Sequence, residues 1–84
     1  MRMRIFTNEA LPEDELDYTR WETFNGDYIN VSFVGSTYIE RCLDTLALFA
    51  ARYPNHPNYP IWMRYTTVFE EELLRRDPDF AFLV

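Results

Sequence analysis

The sequence predicts an α+β fold: a small antiparallel sheet of three strands, or four if residues 79–84 join it, packed against two α-helices. Three observations point that way. Asn25-Gly26 separates two runs rich in aromatic and β-branched residues, apolar residues recur at intervals of three and four over residues 37–53, and the same spacing returns over 60–76. With no linker, repeat or low-complexity tract between these segments, residues 1–84 are expected to form one compact domain.

The elements follow in order. Residues 1–7 alternate Met1, Met3 and Ile5 with Arg2, Arg4 and Phe6, the period of a strand with one buried face. From Asn8 to Asp17, Pro12 suits a first helical position, and Glu13, Asp14 and Glu15 suit the positive end of a short helix; an irregular loop fits the same residues. Asn25-Gly26 reads as a type I′ turn joining strands 18–24 and 27–34, because both residues tolerate positive φ. A two-residue turn sets Phe24 opposite Asp27, Thr23 opposite Tyr28, Trp21 opposite Asn30 and Tyr18 opposite Phe33. One face then carries Tyr18, Arg20, Glu22, Phe24, Ile29, Val31 and Phe33, and is the expected core side. The other carries Thr19, Trp21, Thr23, Tyr28, Asn30 and Ser32, with Trp21 and Tyr28 as diagonal neighbours.

Gly35 ends the second strand, and Thr37 with Glu40 forms a capping box for a helix over 37–53 that buries Ile39, Cys42, Leu43, Leu46, Phe49, Ala50 and Tyr53. Three prolines within YPNHPNYP make a rigid connector. A second helix starts at Pro60 and ends before Pro78, with Trp62, Tyr65, Phe69 and Leu73 inward and Glu71–Arg75 and Glu72–Arg76 as outward pairs. The apolar end, DFAFLV, is expected to add a last strand or to cap the core.

A chain this short buries only about 60–65% of its unfolded surface, so its core must be cohesive. Seven Phe, six Tyr and two Trp supply large area per residue. Cys42 has no second cysteine to pair with, the start lacks the apolar middle of a signal peptide, and no apolar run reaches a membrane span; a soluble, cytoplasmic protein is expected. All eight basic residues are Arg. The net charge of −6 has one origin: residues 9–27 hold seven acids and one base, whereas the remainder carries seven of each sign. Such a surface disfavours direct binding to nucleic acid or anionic lipid.

Sites for chemistry are sparse. His56 has no carboxylate or nucleophile positioned beside it by spacing and reads as a loop residue. Cys42 sits among apolar residues, where a thiol is inert, and reads as core. The acids at 13, 14, 15 and 17 lack the spacing and glycine of a calcium loop, and Glu70, Glu71 and Glu72 read as a solvated helix face. No catalytic, metal or cofactor-binding residue is therefore assigned, and an enzyme is not expected.

Elimination and polarity leave a non-enzymatic interaction protein. Glu13, Asp14, Glu15, Asp17, Tyr18, Trp21, Glu22, Asp27 and Tyr28 are the candidate partner-binding residues, an acidic flank bearing aromatic anchors that would fit a basic groove on a protein partner. Such grooves commonly serve nucleic acid, so the expected role is an inhibitor that mimics it. In size and charge, though in no motif, the chain resembles small acidic phage proteins that disarm restriction or CRISPR complexes. The alternative is a homo-oligomeric structural or accessory subunit, a homodimer for example, using the sheet face as a two-fold interface.

Overall fold

The backbone of residues 4–7 finds its partners in side chains and turns rather than in a neighbouring strand, and this shapes the whole architecture. The computed structural model describes residues 3–77. Within that range, the strand expected over residues 1–7 is a 3-10 turn, Arg4–Phe6. The Ile5 carbonyl accepts from the Trp62 indole Nε1–H at 2.7 Å and from the Asn58 side-chain amide at 3.3 Å, while the Arg4 N–H donates to the Glu22 carboxylate at 2.9 Å. A strand ladder has no use for groups already bonded elsewhere. Ile5 is buried as the alternation expects, but the turn also brings Phe6, expected on the opposite face, half-buried onto the core. The strand expected at 79–84 lies outside the described residues.

The sheet is accordingly two-stranded and antiparallel, β1 (Arg20–Glu22) against β2 (Tyr28–Asn30). The fold class is α+β, with the expected strands shortened. Residues Val31–Phe33 leave the sheet as a 3-10 turn, opened by the Asn30 side chain accepting the Ser32 N–H.

The hairpin departs from expectation in one residue, with large effect. Thr23 N–H donates to the Asp27 carbonyl at 2.7 Å and Gly26 N–H to the Thr23 carbonyl at 2.9 Å, so the loop is Phe24–Asn25–Gly26, three residues long. Gly26 takes φ 89°, and no non-glycine residue among those described has positive φ. This is the turn-plus-glycine loop that ranks next to the two-residue hairpins. Asn25, free of the left-handed conformation, sits in an ordinary turn, and the Thr23 hydroxyl steadies the arrangement by accepting the Asp27 N–H at 3.2 Å. The observed partners are Arg20↔Asn30, Trp21↔Ile29 and Glu22↔Tyr28. A one-residue slip exchanges faces. Trp21 thus joins Ile29 on the inner side and is 1% exposed, while Phe24 and Phe33, expected inside, are 70% and 86% exposed.

Helix α1 (Ser36–Arg52) and helix α2 (Tyr59–Arg76) pack against each other and form the larger part of the core. Both run where periodicity places them. Ile39, Cys42 and Leu46 of α1 are buried, with Leu43, Phe49 and Ala50 half-buried and Tyr53 exposed; the whole expected stripe Trp62, Tyr65, Phe69 and Leu73 of α2 is buried, with Ile61 beside it. The capping box does not form. Helix α1 begins one residue early, with Gly35 at its cap and no side-chain capping bond. In its place, Arg76 from the last turn of α2 donates to the Ser36 hydroxyl at 3.1 Å and to the Val31 and Ser32 carbonyls at 3.3 Å each. Arg76 also pairs with Glu72 at 2.8 Å, as spacing predicts, but Arg75 pairs with Glu72 rather than Glu71.

The core is an aromatic cluster with Trp21 in the middle: its indole meets Tyr65 at 5.0 Å and Phe69 at 5.1 Å edge-on, and Phe6 at 6.3 Å. Edge-to-face contacts of this kind add about 0.5–1.5 kcal/mol each beyond area burial. The connector 53–59 folds as two successive turns, His56 N–H to the Tyr53 carbonyl and Tyr59 N–H to the His56 carbonyl.

Candidate interaction surface

The acids of the predicted surface gather around a single 3-10 turn, Glu13–Glu15, the only helical piece of the segment expected as a short helix. Pro12 starts it, and the Tyr18 hydroxyl closes it by donating to the Glu13 carbonyl at 2.8 Å. Arg64, projecting from α2, anchors the turn to the body. Its guanidinium lies 3.5 Å from the Asp14 carboxylate and 3.8 Å from that of Glu13, donates to the Glu13 carbonyl at 3.4 Å, and rests 4.2 Å above the centre of the Tyr18 ring. The cation–π contact and the ion pairs are individually modest at so exposed a site, about 0.5–1 kcal/mol or less. Together they fix where the carboxylates stand.

Asp17 makes a different local structure. Its carboxylate accepts the Thr19 N–H at 3.0 Å and the Thr19 hydroxyl, and lies 3.8 Å from the Arg20 Nε. The Thr19 hydroxyl bond, with the backbone bond behind it, holds this carboxyl below its ordinary range. Glu15 is exposed and its carboxylate meets no partner among the described residues. Burial against Tyr65, 4.8 Å away, pushes the Tyr18 phenol upward. Glu22 is half-buried and engaged with the Arg4 N–H, and Asp27 is exposed at the end of the hairpin loop.

Tyr28 is 54% exposed and stands opposite Glu22. It borders, with Arg4, Glu22, Leu11 and Leu16, a small cleft between the hairpin and the segment before it. The structure therefore brings Glu13, Asp14 and Tyr18 together around Arg64 and ties Asp17 to Thr19 and Arg20, while Glu22 and Tyr28 line a separate cleft with Arg4 and Leu16. Trp21 is removed from the surface: the hairpin slip turns it into the core, so it cannot meet a partner. Arginines also temper the flank, since Arg4 and Arg64, both from outside residues 9–27, lie against its acids.

Two organising residues escaped the sequence reading. Arg64 belongs to a helix about fifty residues from the acids it holds, and no local spacing betrays that. Asn58 is fully buried, and its side chain accepts the Leu11 N–H at 3.0 Å and donates to the Glu9 carbonyl at 2.7 Å and the Ile5 carbonyl. An asparagine amid prolines reads as turn chemistry, whereas here it fastens residues 5–11 to the start of α2. His56 supports it, its Nδ1 accepting the Asn58 N–H at 3.0 Å and its ring lying 4.7 Å from Trp62. Cys42 is buried as expected, and desolvation pushes its thiol up to about 11. No cluster of metal-ligating side chains occurs among the described residues, and no helix among them is long and apolar enough to cross a membrane.

No family model, curated protein or solved structure matches the chain.

Proposed function

We propose that this protein is non-enzymatic and works by occupying a basic surface of a protein partner with the flank built on Glu13–Glu15. The observation that supports the reading is the held, projecting set of carboxylates: Asp14, whose side chain is 96% exposed, with the exposed Glu15 and Asp17 close to it in the chain; the exposed Tyr28 on the hairpin adds an aromatic ring. Complementary potentials of this kind raise encounter rates and reject wrong partners. On a groove that ordinarily takes nucleic acid, the carboxylates stand in for phosphates and Tyr28 takes the stacking role of a base. Tyr28, rather than Trp21, is then the aromatic anchor.

An arginine-rich peptide is a direct probe. Titrated into isotope-labelled protein, it shifts the amides of residues 13–17 and 28, and the effect falls steeply with added salt. The triple change Asp14→Asn, Glu15→Gln and Asp17→Asn abolishes those shifts. Shifts spread evenly over the molecule, or unchanged in the triple variant, refute the reading.

A second reading rests on a separate observation, the exposure of Phe24 in the hairpin loop and of Phe33 in the 3-10 turn that follows β2. Two such rings suit a self-complementary interface between copies. Light scattering distinguishes the readings, since a free molecule measures about 10.2 kDa and a dimer twice that.

A further inference from the structure

The Trp21 indole N–H is an orphan. It is buried and has no hydrogen-bond partner, although buried polar groups are almost always satisfied and each exception asks for an explanation. Trp21 forms part of the wall of a concave site of about 210 Å³ between the N-terminal segment, the hairpin and α1. Met3, Phe6 and Phe24 make its apolar walls, and Tyr38 and Arg41 bring polar ends to it. The indole N–H lies against the Tyr38 hydroxyl, near enough to favour the ionised phenol but outside good hydrogen-bond geometry, so the nitrogen faces this side of the ring.

The charge of the site runs against that of the protein. In a chain of net charge −6 no carboxylate lines this pocket, while Arg41 does, and its guanidinium has no ion pair among the described residues. A buried indole N–H without a well-formed bond, a solvent-exposed guanidinium without an ion pair and a phenol hydroxyl thus line one site beside three apolar side chains. A carboxylate answers the donors, and a ring or short hydrocarbon answers the walls.

We propose that this pocket binds a small apolar carboxylic acid, its carboxylate taken by Arg41 and the Trp21 N–H and its body lodged against Met3, Phe6 and Phe24. The volume, below the roughly 300–1,000 Å³ of sites for drug-sized molecules, limits the ligand to about the size of one aromatic ring with a short acid arm. Tyr38, 37% exposed, is the side chain that turns aside to admit it. The site uses none of the acidic-flank residues and does not depend on the protein-docking reading.

The probe is phenylacetate, with phenylacetamide as its uncharged counterpart and acetate as the charge without the ring. Indole ¹⁵N–¹H spectra carry two signals, from Trp21 and Trp62, assigned through Trp21→Phe. The expected result is a saturable shift of the Trp21 signal with phenylacetate and a still Trp62 signal, with the amide and acetate each about tenfold weaker or more, the size of one charge-assisted contact. Arg41→Gln, at an exposed helix position, weakens phenylacetate about tenfold without changing the denaturation midpoint. A Trp21 signal that drifts linearly without saturating, an amide that binds as well as the acid, or an Arg41→Gln protein of unchanged affinity each overturns the assignment.

Discussion

Replacing Trp21 by alanine tests the hairpin register, because the two registers give opposite outcomes. With the ring at the surface, truncation is a minor event. With the ring 1% exposed between Phe6, Tyr65 and Phe69, it removes the centre of the core. Burial of about 200 Å² of indole at about 25 cal/mol per Å² is worth about 5 kcal/mol. The orphan N–H disappears with the ring, which returns about 1 kcal/mol of unsatisfied burial. The net loss of about 4 kcal/mol lies in the range of about 3–5 kcal/mol typical of buried Phe or Trp truncated to alanine. A domain of this length has a total stability of roughly 4–13 kcal/mol, at about 0.05–0.15 kcal/mol per residue. Trp21→Ala therefore unfolds at much lower urea than the parent, or not cooperatively at all, when followed by far-ultraviolet circular dichroism. Trp21→Phe, which keeps most of the apolar body, loses less than half as much. A Trp21→Ala protein within about 1 kcal/mol of the parent would mean that the ring is not in the core, and that the three-residue loop is wrong.

Four other residues give further outcomes. Asn58→Ala strips three side-chain hydrogen bonds from a fully buried amide and costs about 3 kcal/mol in chemical denaturation at about 1 kcal/mol per bond, with faster hydrogen exchange at the Leu11 amide. Asn58→Asp is no milder, since it points an acceptor at the carbonyls of Ile5 and Glu9. Gly26→Ala, forced to adopt φ 89°, costs about 1–2 kcal/mol. Glu72 is held below the usual carboxylate range by its bond from Arg75, with Arg76 adding to it; a depressed folded value means that its contribution is whole above the ordinary carboxylate pKa near 4.3 and is lost as pH falls through the folded value, so Glu72→Gln flattens the acid limb of the urea-midpoint profile. Cys42, with its thiol pushed up to about 11 by desolvation, reacts with Ellman's reagent at neutral pH only as fast as the protein opens, and at once in urea.

The helices were legible because each carries its own instructions. Ile39, Cys42 and Leu46 of α1 recur over about two turns and the stripe from Trp62 to Leu73 over about three, and a sustained spacing of three and four suits only a helix. The N-terminal segment was not legible, for a physical reason. Its alternation was read as a strand with one buried face, yet Phe6 from the opposite set is half-buried too, and whether a short apolar stretch becomes a strand depends on who takes its carbonyls. Ile5 gives its carbonyl to Trp62 and Asn58, more than fifty positions away, and no local pattern announces such a bond.

The candidate site shows how a small local ambiguity becomes a functional one. Asn-Gly marks a hairpin reliably, yet the same pair fits a two-residue turn with both residues at positive φ and a three-residue turn with only Gly26 there. Local propensity favours the first. The choice falls to the core: Trp21, the largest apolar side chain on its strand, gains several kcal/mol by meeting Tyr65 and Phe69, far more than the difference between two good turns. The register follows the tryptophan, and the residues of β1 change face with it while Tyr28, Ile29 and Val31 keep theirs. Phe24 moves out into the loop, where it walls the pocket beside Arg41, and Tyr28 remains an exposed ring on β2. One burial decision therefore shapes both of the proposed surfaces, and they differ in charge: carboxylates collect on the side held by Arg64, while the indole N–H and Arg41 share a pocket that no carboxylate lines.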